Sequence, residues 1–139
     1  MKPQSITLPT KVDRQWHEID ASSSTMGRIA VQVANFLRGK HKRTFTPNMD
    51  MGDFVVVTNI EKLKFTGRKL EQKKYYRHSG FLGGLKTRTL KQENERNPEW
   101  VFRTAVREML DDVKFRKKLL ARLKVVKGSE HTYKIEKNT

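Results

Sequence analysis

The chain has 139 residues, with 30 Lys or Arg against 15 Asp or Glu, a net charge of +15, and no cysteine. That length suits one domain, and a hydrophobic share of 35% leaves room for a modest core. The absence of cysteine excludes disulfides and thiolate metal sites and fits a reducing compartment, while the charge exceeds what solubility requires and calls for a polyanion.

Residues 1–13 hold Pro3 and Pro9 and little periodicity, so a flexible tail is expected there. The opening MKPQSITLPT lacks the apolar stretch of a secretory signal, and no run in the chain is long enough for a membrane helix. WHEIDA, 16–21, reads as a strand. SSST, 22–25, offers hydroxyls that could accept from the free N–H groups of a helix start. Met26, Ile29, Ala30, Val33, Phe36 and Leu37 recur at three and four, the apolar face of a helix, and Gly39 is placed to end it in a left-handed conformation. GKHKRTFTP, 39–47, follows as a basic loop.

MGDFVVVTNI combines the turn residues Gly52 and Asp53 with an apolar run over 54–57, the pattern of a strand buried on both faces of a parallel sheet. Leu63 and Phe65 alternate with lysines, and TGRK, 66–69, is a turn. KKYYRHSGFLGGLK, 73–86, packs two tyrosines, a histidine and three glycines among basic residues without one acid. If extended, it turns Tyr75 and Tyr76 to opposite sides. One then packs inward with its hydroxyl satisfied, and the other is free to stack on a base or sugar. Stacking surface interleaved with cations is nucleic-acid-binding chemistry. Thr89 and Gln92 match a capping box, and Asn97-Pro98-Glu99 is a second helix start. Phe102, Ala105, Val106, Met109 and Leu110 supply the buried stripe of that helix. Asp112 is the expected cap of a last helix, which turns Phe115 and Leu119 inward. LKVVK, 123–127, reads as a final strand, and 129–139 as a polar tail. Strands alternating with helices predict an α/β domain over 14–128.

Stretches 21–49, 72–92 and 113–129 contain no Asp or Glu and hold 18 of the 30 Lys and Arg. If folding gathers these blocks, they form one cationic wall. Catalytic readings find little support. The glycines at 80, 83 and 84 do not make a dinucleotide fingerprint, and GKHK lacks phosphate-loop spacing. His78 beside Ser79 has no third triad member in view. On a strand His17 diverges from Glu18 and Asp20, so no metal site is expected there. No cofactor, small-molecule substrate or membrane partner is expected.

The motifs occur in a telling order: D-A-S at 20–22, M-G-R-I-A at 26–30, L-R-G-K-H-K at 37–42, G-D-F-V-V-V-T-N at 52–59, T-G-R-K at 66–69, K-Y-Y-R-H-S-G at 74–80, G-G-L-K at 83–86, A-V-R-E-M-L at 105–110 and R-L-K-V at 122–125. Together they resemble the bacterial type of large-subunit ribosomal protein thirteen, over about residues 14–131. The resemblance implies a single three-layer α/β/α domain with a mainly parallel central sheet. It further implies a non-catalytic protein that binds large-subunit rRNA, enters assembly early and touches neighbouring large-subunit ribosomal proteins. Its place would be the ribosome, cytoplasmic or organellar.

Candidate rRNA contacts are Arg28, Arg38, Lys40, His41, Lys42 and Arg43 from the first block. Arg68 and Lys69 join Lys73, Lys74, Tyr75, Tyr76, Arg77, His78, Lys86 and Arg88 from around the second. Arg116, Lys117, Lys118, Arg122 and Lys124 come from the third. Gly80, Gly83 and Gly84 serve either close backbone approach or plain turn geometry. Replacing Lys40, Lys42 and Arg43 by alanine is expected to weaken RNA binding far more than stability. Where the family has Pro-Lys-Asn, this chain has Asp111-Asp112-Val113, whose two acids argue against close RNA contact there. Two other readings share the basic surface: an RNA-modifying or RNA-processing enzyme, and a regulatory RNA-binding module working off the ribosome.

Overall fold

The structure, a computed structural model, describes residues 12–111, 114–133 and 135. The apolar run becomes β2 (Phe54–Thr58), the middle strand of a parallel sheet in the order β1 (Trp16–Asp20), β2, β5 (Leu123–Val125). Its place explains its composition. Val55, Val56 and Val57 are wholly buried, because a strand paired on both edges and covered on both faces has no solvated side. Parallel neighbours need a crossover, and α1 (Met26–Arg38) connects β1 to β2. Ile29, Ala30, Val33 and Leu37 of α1 join Val55 and Val57 in one core with Phe102, Ala105 and Val106 of α4 (Pro98–Met109) and Leu119 of α5 (Arg116–Ala121). On the other face of the sheet, Trp16 stacks on Phe54 at 4.5 Å, and Tyr133 stacks on Trp16 at 5.4 Å. Tyr133 thus covers that corner.

The expected α/β class and parallel sheet are present. A second, antiparallel sheet stands beside them, made of β3 (Lys74–His78) and β4 (Leu85–Thr89). Short helices α2 (Lys69–Gln72) and α3 (Leu90–Arg96) flank it. No helix is long and apolar enough to cross a membrane among the described residues.

Local signals act as their chemistry demands. Gly39 adopts φ 81° and donates its N–H to the Asn35 and Phe36 carbonyls, closing α1. The capping box forms: the Gln92 N–H donates to Thr89 Oγ1 at 3.4 Å, and the Thr89 N–H donates to Gln92 Oε1 at 3.1 Å. Asn97 Oδ1 accepts from the Trp100 N–H at 3.0 Å, ahead of Pro98 at the first helical position. Two expectations fail. No SSST hydroxyl caps α1; Ser22 and Ser23 turn back onto Asp20, and the Met26 N–H goes to the Lys64 carbonyl at 3.0 Å. Thr25 makes a parallel bridge to Lys64, so backbone from a distant segment does what a hydroxyl was expected to do. Met109 is 47% exposed instead of buried, because α4 ends there beside an open groove. The expected cap Asp112, residues 1–11 of the N-terminal tail and residues 134 and 136–139 of the C-terminal tail lie outside the described residues.

Candidate nucleic-acid interface

Several predicted contact residues turn inward, onto two aspartates at the start of β2. Asp53 is fully buried, and its Oδ1 accepts from the Gln15 N–H at 3.1 Å and from the Lys42 ammonium. His17 and His41 each bring Nε2 to 2.9 Å from Asp53 Oδ2. Asp50 receives a two-pronged hydrogen bond from Arg122, at 2.7 and 2.5 Å, while Arg14 donates to the Gly52 carbonyl at 2.7 Å. A forked guanidinium matches a carboxylate in both shape and charge. Arg38 lies in the interior as well. It pairs with Asp111 at 3.4 Å and places its guanidinium over Phe115 and Phe45, at 5.3 and 5.9 Å from their centroids.

Arg38 and Arg122 are only 7% and 8% exposed, so they are corrected from RNA contacts to internal braces. His41 and Lys42 belong mainly to the Asp53 cluster. Their loop-mates Lys40 and Arg43 are exposed. No composition rule separates these neighbours. The signal is the pair Asp50 and Asp53, set in an apolar context that obliges them to recruit cations.

Burial alone would raise both carboxyls. Hydrogen bonding and charge from Arg122 for Asp50, and from Lys42 and His17 for Asp53, outweigh it and hold both below the ordinary 3.8. A carboxylate depressed in the folded state binds fewer protons there than in the unfolded chain. Its contribution is therefore present above about pH 4 and lost as pH falls through the lowered folded values. Urea titrations between pH 6 and 2 should show the unfolding midpoint falling below about pH 4, and Asp53→Asn should lower the plateau and flatten that acid limb. An acid limb as steep in Asp53→Asn as in the wild type would refute the assignment for Asp53.

Exposed cations gather elsewhere. A groove of about 780 Å³ runs between the start of α1, the 64–73 segment and α4, lined by Arg28, Lys64, Lys69 and Lys73 with Val31, Phe65, Met109 and one acid, Glu108. Here the first and second charge blocks meet. Beside it stands the β3–β4 arm. Lys74, Tyr76 and His78 share one face with Leu85, Thr87 and Thr89; Tyr75 and Arg77 share the other with Lys86 and Arg88. Tyr75 is the inward ring, edge-on to Trp100 at 5.1 Å, and Tyr76 is 67% exposed. Burial, with Glu108 and Glu93 nearby, pushes the Tyr75 phenol up. Its hydroxyl meets no hydrogen-bond partner among the described residues, contrary to expectation.

Arg88 is tied to Glu93 at 3.1 Å, and His78 Nδ1 accepts from the Gly80 N–H at 2.9 Å. Gly80 and Gly83 have φ of 89° and 70° with open space where a Cβ would stand, so turn geometry accounts for them. Gly84 lies close against Ser79. A two-stranded arm solvated on both faces has little stability of its own. Tyr75 against Trp100 and the buried Leu90 root it to the body.

The third block meets the first at the opposite end of α1, through Arg38 over Phe115 and an Arg122 bond to the Leu37 carbonyl at 3.4 Å. Lys114, Lys117 and Lys118 are exposed; Arg116 donates to the Asp111 carbonyl at 3.1 Å, and Lys124 is half-buried. The blocks are thus arrayed along α1, one at each end and one spanning it. At 1.5 Å per residue the ends of this 13-residue helix lie about 18 Å apart.

The profile of the ribosomal protein L13 family matches residues 14–132. The chain belongs to the ribosomal protein L13 family. Among its relatives, the large ribosomal subunit protein uL13 of Aquifex aeolicus is 50% identical over 129 residues, covering 93% of this chain and 90% of that one. The proteins of the same name from Nitratidesulfovibrio vulgaris and Prochlorococcus marinus are each 47% identical, covering 94% and 96% of this chain and 91% and 89% of their own. These L13 relatives bear the name of a ribosomal subunit protein and not of an enzyme. Within the L13 frame, the departure at 111 has a structural use here, since Asp111 is the ion-pair partner of the buried Arg38.

Proposed function

We propose that this protein is a structural component of the large ribosomal subunit, in the ribosomes of its cell's cytoplasm, where it binds and organises large-subunit rRNA early in assembly. The relatives' shared name supports the location. The carrying observation is the set of exposed cations about the α1 groove and the β3–β4 arm, with Tyr76 held outward among them. Lys64, Lys69 and Arg28 supply point charges and a fork to phosphates, and the arm adds the exposed Lys74, Arg77 and Lys86. Tyr76 and the arm-tip Phe81, which is 76% exposed, offer stacking surface to unpaired bases. Duplex RNA hides its base edges in a deep groove, so recognition by this surface is of backbone, shape and loops. The folded backbone holds the cations in register before binding, so only their side chains need ordering, which suits a protein that joins RNA before most neighbours are present. Neighbouring large-subunit proteins would meet what the RNA leaves uncovered.

The division between inward and outward cations is testable within one loop. Lys40→Ala with Arg43→Ala should lower rRNA affinity about tenfold or more and reduce the salt slope by about 2, while the melting temperature stays within about 2 °C. Lys42→Ala should instead cost about 1–3 kcal/mol of stability, because it removes a charged donor from the buried Asp53. Filter binding to large-subunit rRNA fragments, read beside thermal melts, separates the two effects. Equal melting losses for both variants, or an unchanged affinity for the double variant, would contradict the proposal.

A further inference from the structure

His17, His41 and Asp53 lie in three separate segments, on β1, in the turn after α1 and just ahead of β2. They nonetheless bring one ligand atom each into a single cluster. Both Nε2 atoms stand 2.9 Å from Asp53 Oδ2, and all three ligand atoms lie within 4.8 Å of one another. Two imidazoles and one carboxylate form a donor set for Zn²⁺ or a similar borderline ion, and hard cations such as Mg²⁺ and Ca²⁺ prefer oxygen alone. At metal–ligand lengths of about 2.0–2.2 Å, tetrahedral ligands stand about 3.3 Å apart. The two nitrogen–oxygen edges therefore need to open by only a few tenths of an ångström to admit an ion, with the two ring nitrogens settling to the same spacing.

The rings are held in place for this. His17 stacks on Phe36 at 4.2 Å with 20° between planes, and His41 meets Phe36 and His17 edge-on at 5.0 and 5.4 Å. Lys42 does not take the converging oxygen. Its ammonium sits on Oδ1 and also donates to the Asp13 carbonyl at 2.6 Å, so the carboxylate can face the lysine with one oxygen and an ion with the other. The His17 and His41 side chains are 23% and 30% exposed, against 0% for Asp53, which leaves the open coordination position toward solvent.

We propose that His17, His41 and Asp53 form a three-ligand site for a divalent transition-metal ion of the Zn²⁺ class. This reverses the metal-free expectation for His17, whose partners are not its strand neighbours Glu18 and Asp20. A bound ion would fasten the 39–47 loop to β1 and hold Lys40 and Arg43 in a fixed position.

The test uses the full-length protein, stripped with chelator and titrated with ZnCl₂ by calorimetry. One equivalent should bind, and saturating zinc should raise the melting temperature by about 5 °C or more. Co²⁺ in its place should give the visible absorption of a four-coordinate site, and Mg²⁺ should give neither signal. His17→Phe keeps a ring on Phe36 but removes the ligand nitrogen. It should lose more affinity than the roughly 10–100-fold that follows loss of an outer-shell partner. His41→Gln should do the same. Absence of saturable zinc binding by the wild-type protein, or wild-type affinity in both variants, would overturn the proposal.

Discussion

Affinity for large-subunit rRNA is expected to fall by about 10³–10⁵ between about 50 and 200 mM salt, the signature of roughly six to ten neutralised phosphates. The residues for that number are present at the surface. Arg28, Lys64, Arg68 and Lys69 surround or adjoin the groove, Lys74, Arg77 and Lys86 line the arm, and Lys40, Arg43, Lys117 and Lys118 are exposed toward the other end of α1. Buried guanidiniums are not available for such exchange, which removes Arg38 and Arg122 from the count. Each phosphate contact releases a condensed counterion, and added salt opposes that release. Filter binding across a salt series gives the slope directly. A response flatter than about tenfold over that range would mean that the exposed cations do not carry the binding.

Gly52→Ala is expected to be the most damaging small substitution in the chain. A Cβ at position 52 would stand 1.6 Å from the Leu37 carbonyl oxygen and 2.5 Å from its carbon. Both atoms are backbone at the end of α1 and have no rotamer with which to yield. Met51 packs against Gly39 as well, its carbonyl 2.8 Å from where a Cβ would stand, so two chain segments touch backbone to backbone where α1 ends and β2 begins. Relief requires shifting the segment that carries Asp50 and Asp53, and with it the carboxylates that hold Arg122, Lys42, His17 and His41. Overpacking costs about 1–3 kcal/mol and more where backbone must move, and loss of a buried ion pair adds to it. Gly52→Ala should therefore lower the melting temperature by about 10 °C or leave the protein insoluble.

Gly27→Ala supplies the contrast. Gly27 has open space where its Cβ would stand and a helical place in α1, so the same change there should raise stability by about 0.5 kcal/mol. Thermal melts of the two variants beside the wild type check both signs. Near-equal melting temperatures would contradict the close approach at Gly52.

Features encoded over short distances were legible in the sequence. The 54–57 run declared a central parallel strand because it lacks a polar face, and the structure gives it a neighbour on each edge. Thr89 with Gln92, and Asn97 with Pro98, closed their helix starts as written. What could not be read was set by segments far apart. Thr25 lost its cap role because Lys64 supplied backbone to it. Lys42 and Arg43 are adjacent and chemically alike, yet one answers a buried aspartate eleven positions away and the other faces water. His17 looked idle because its partners are 24 and 36 positions away. Three acid-free blocks suggested a single wall, but α1 holds two of them at its ends and spreads the charge along its length.

Crosslinking of the protein to large-subunit rRNA, with the modified residues mapped by mass spectrometry, tests the central claim most directly. The account predicts adducts at Lys64, Lys69 and the arm residues Lys74, Tyr76 and Lys86, with Lys40 from the far end of α1, and none at Arg38 or Arg122. Adducts confined to the sheet face around Trp16 and Tyr133, with the groove and arm unmarked, would contradict it.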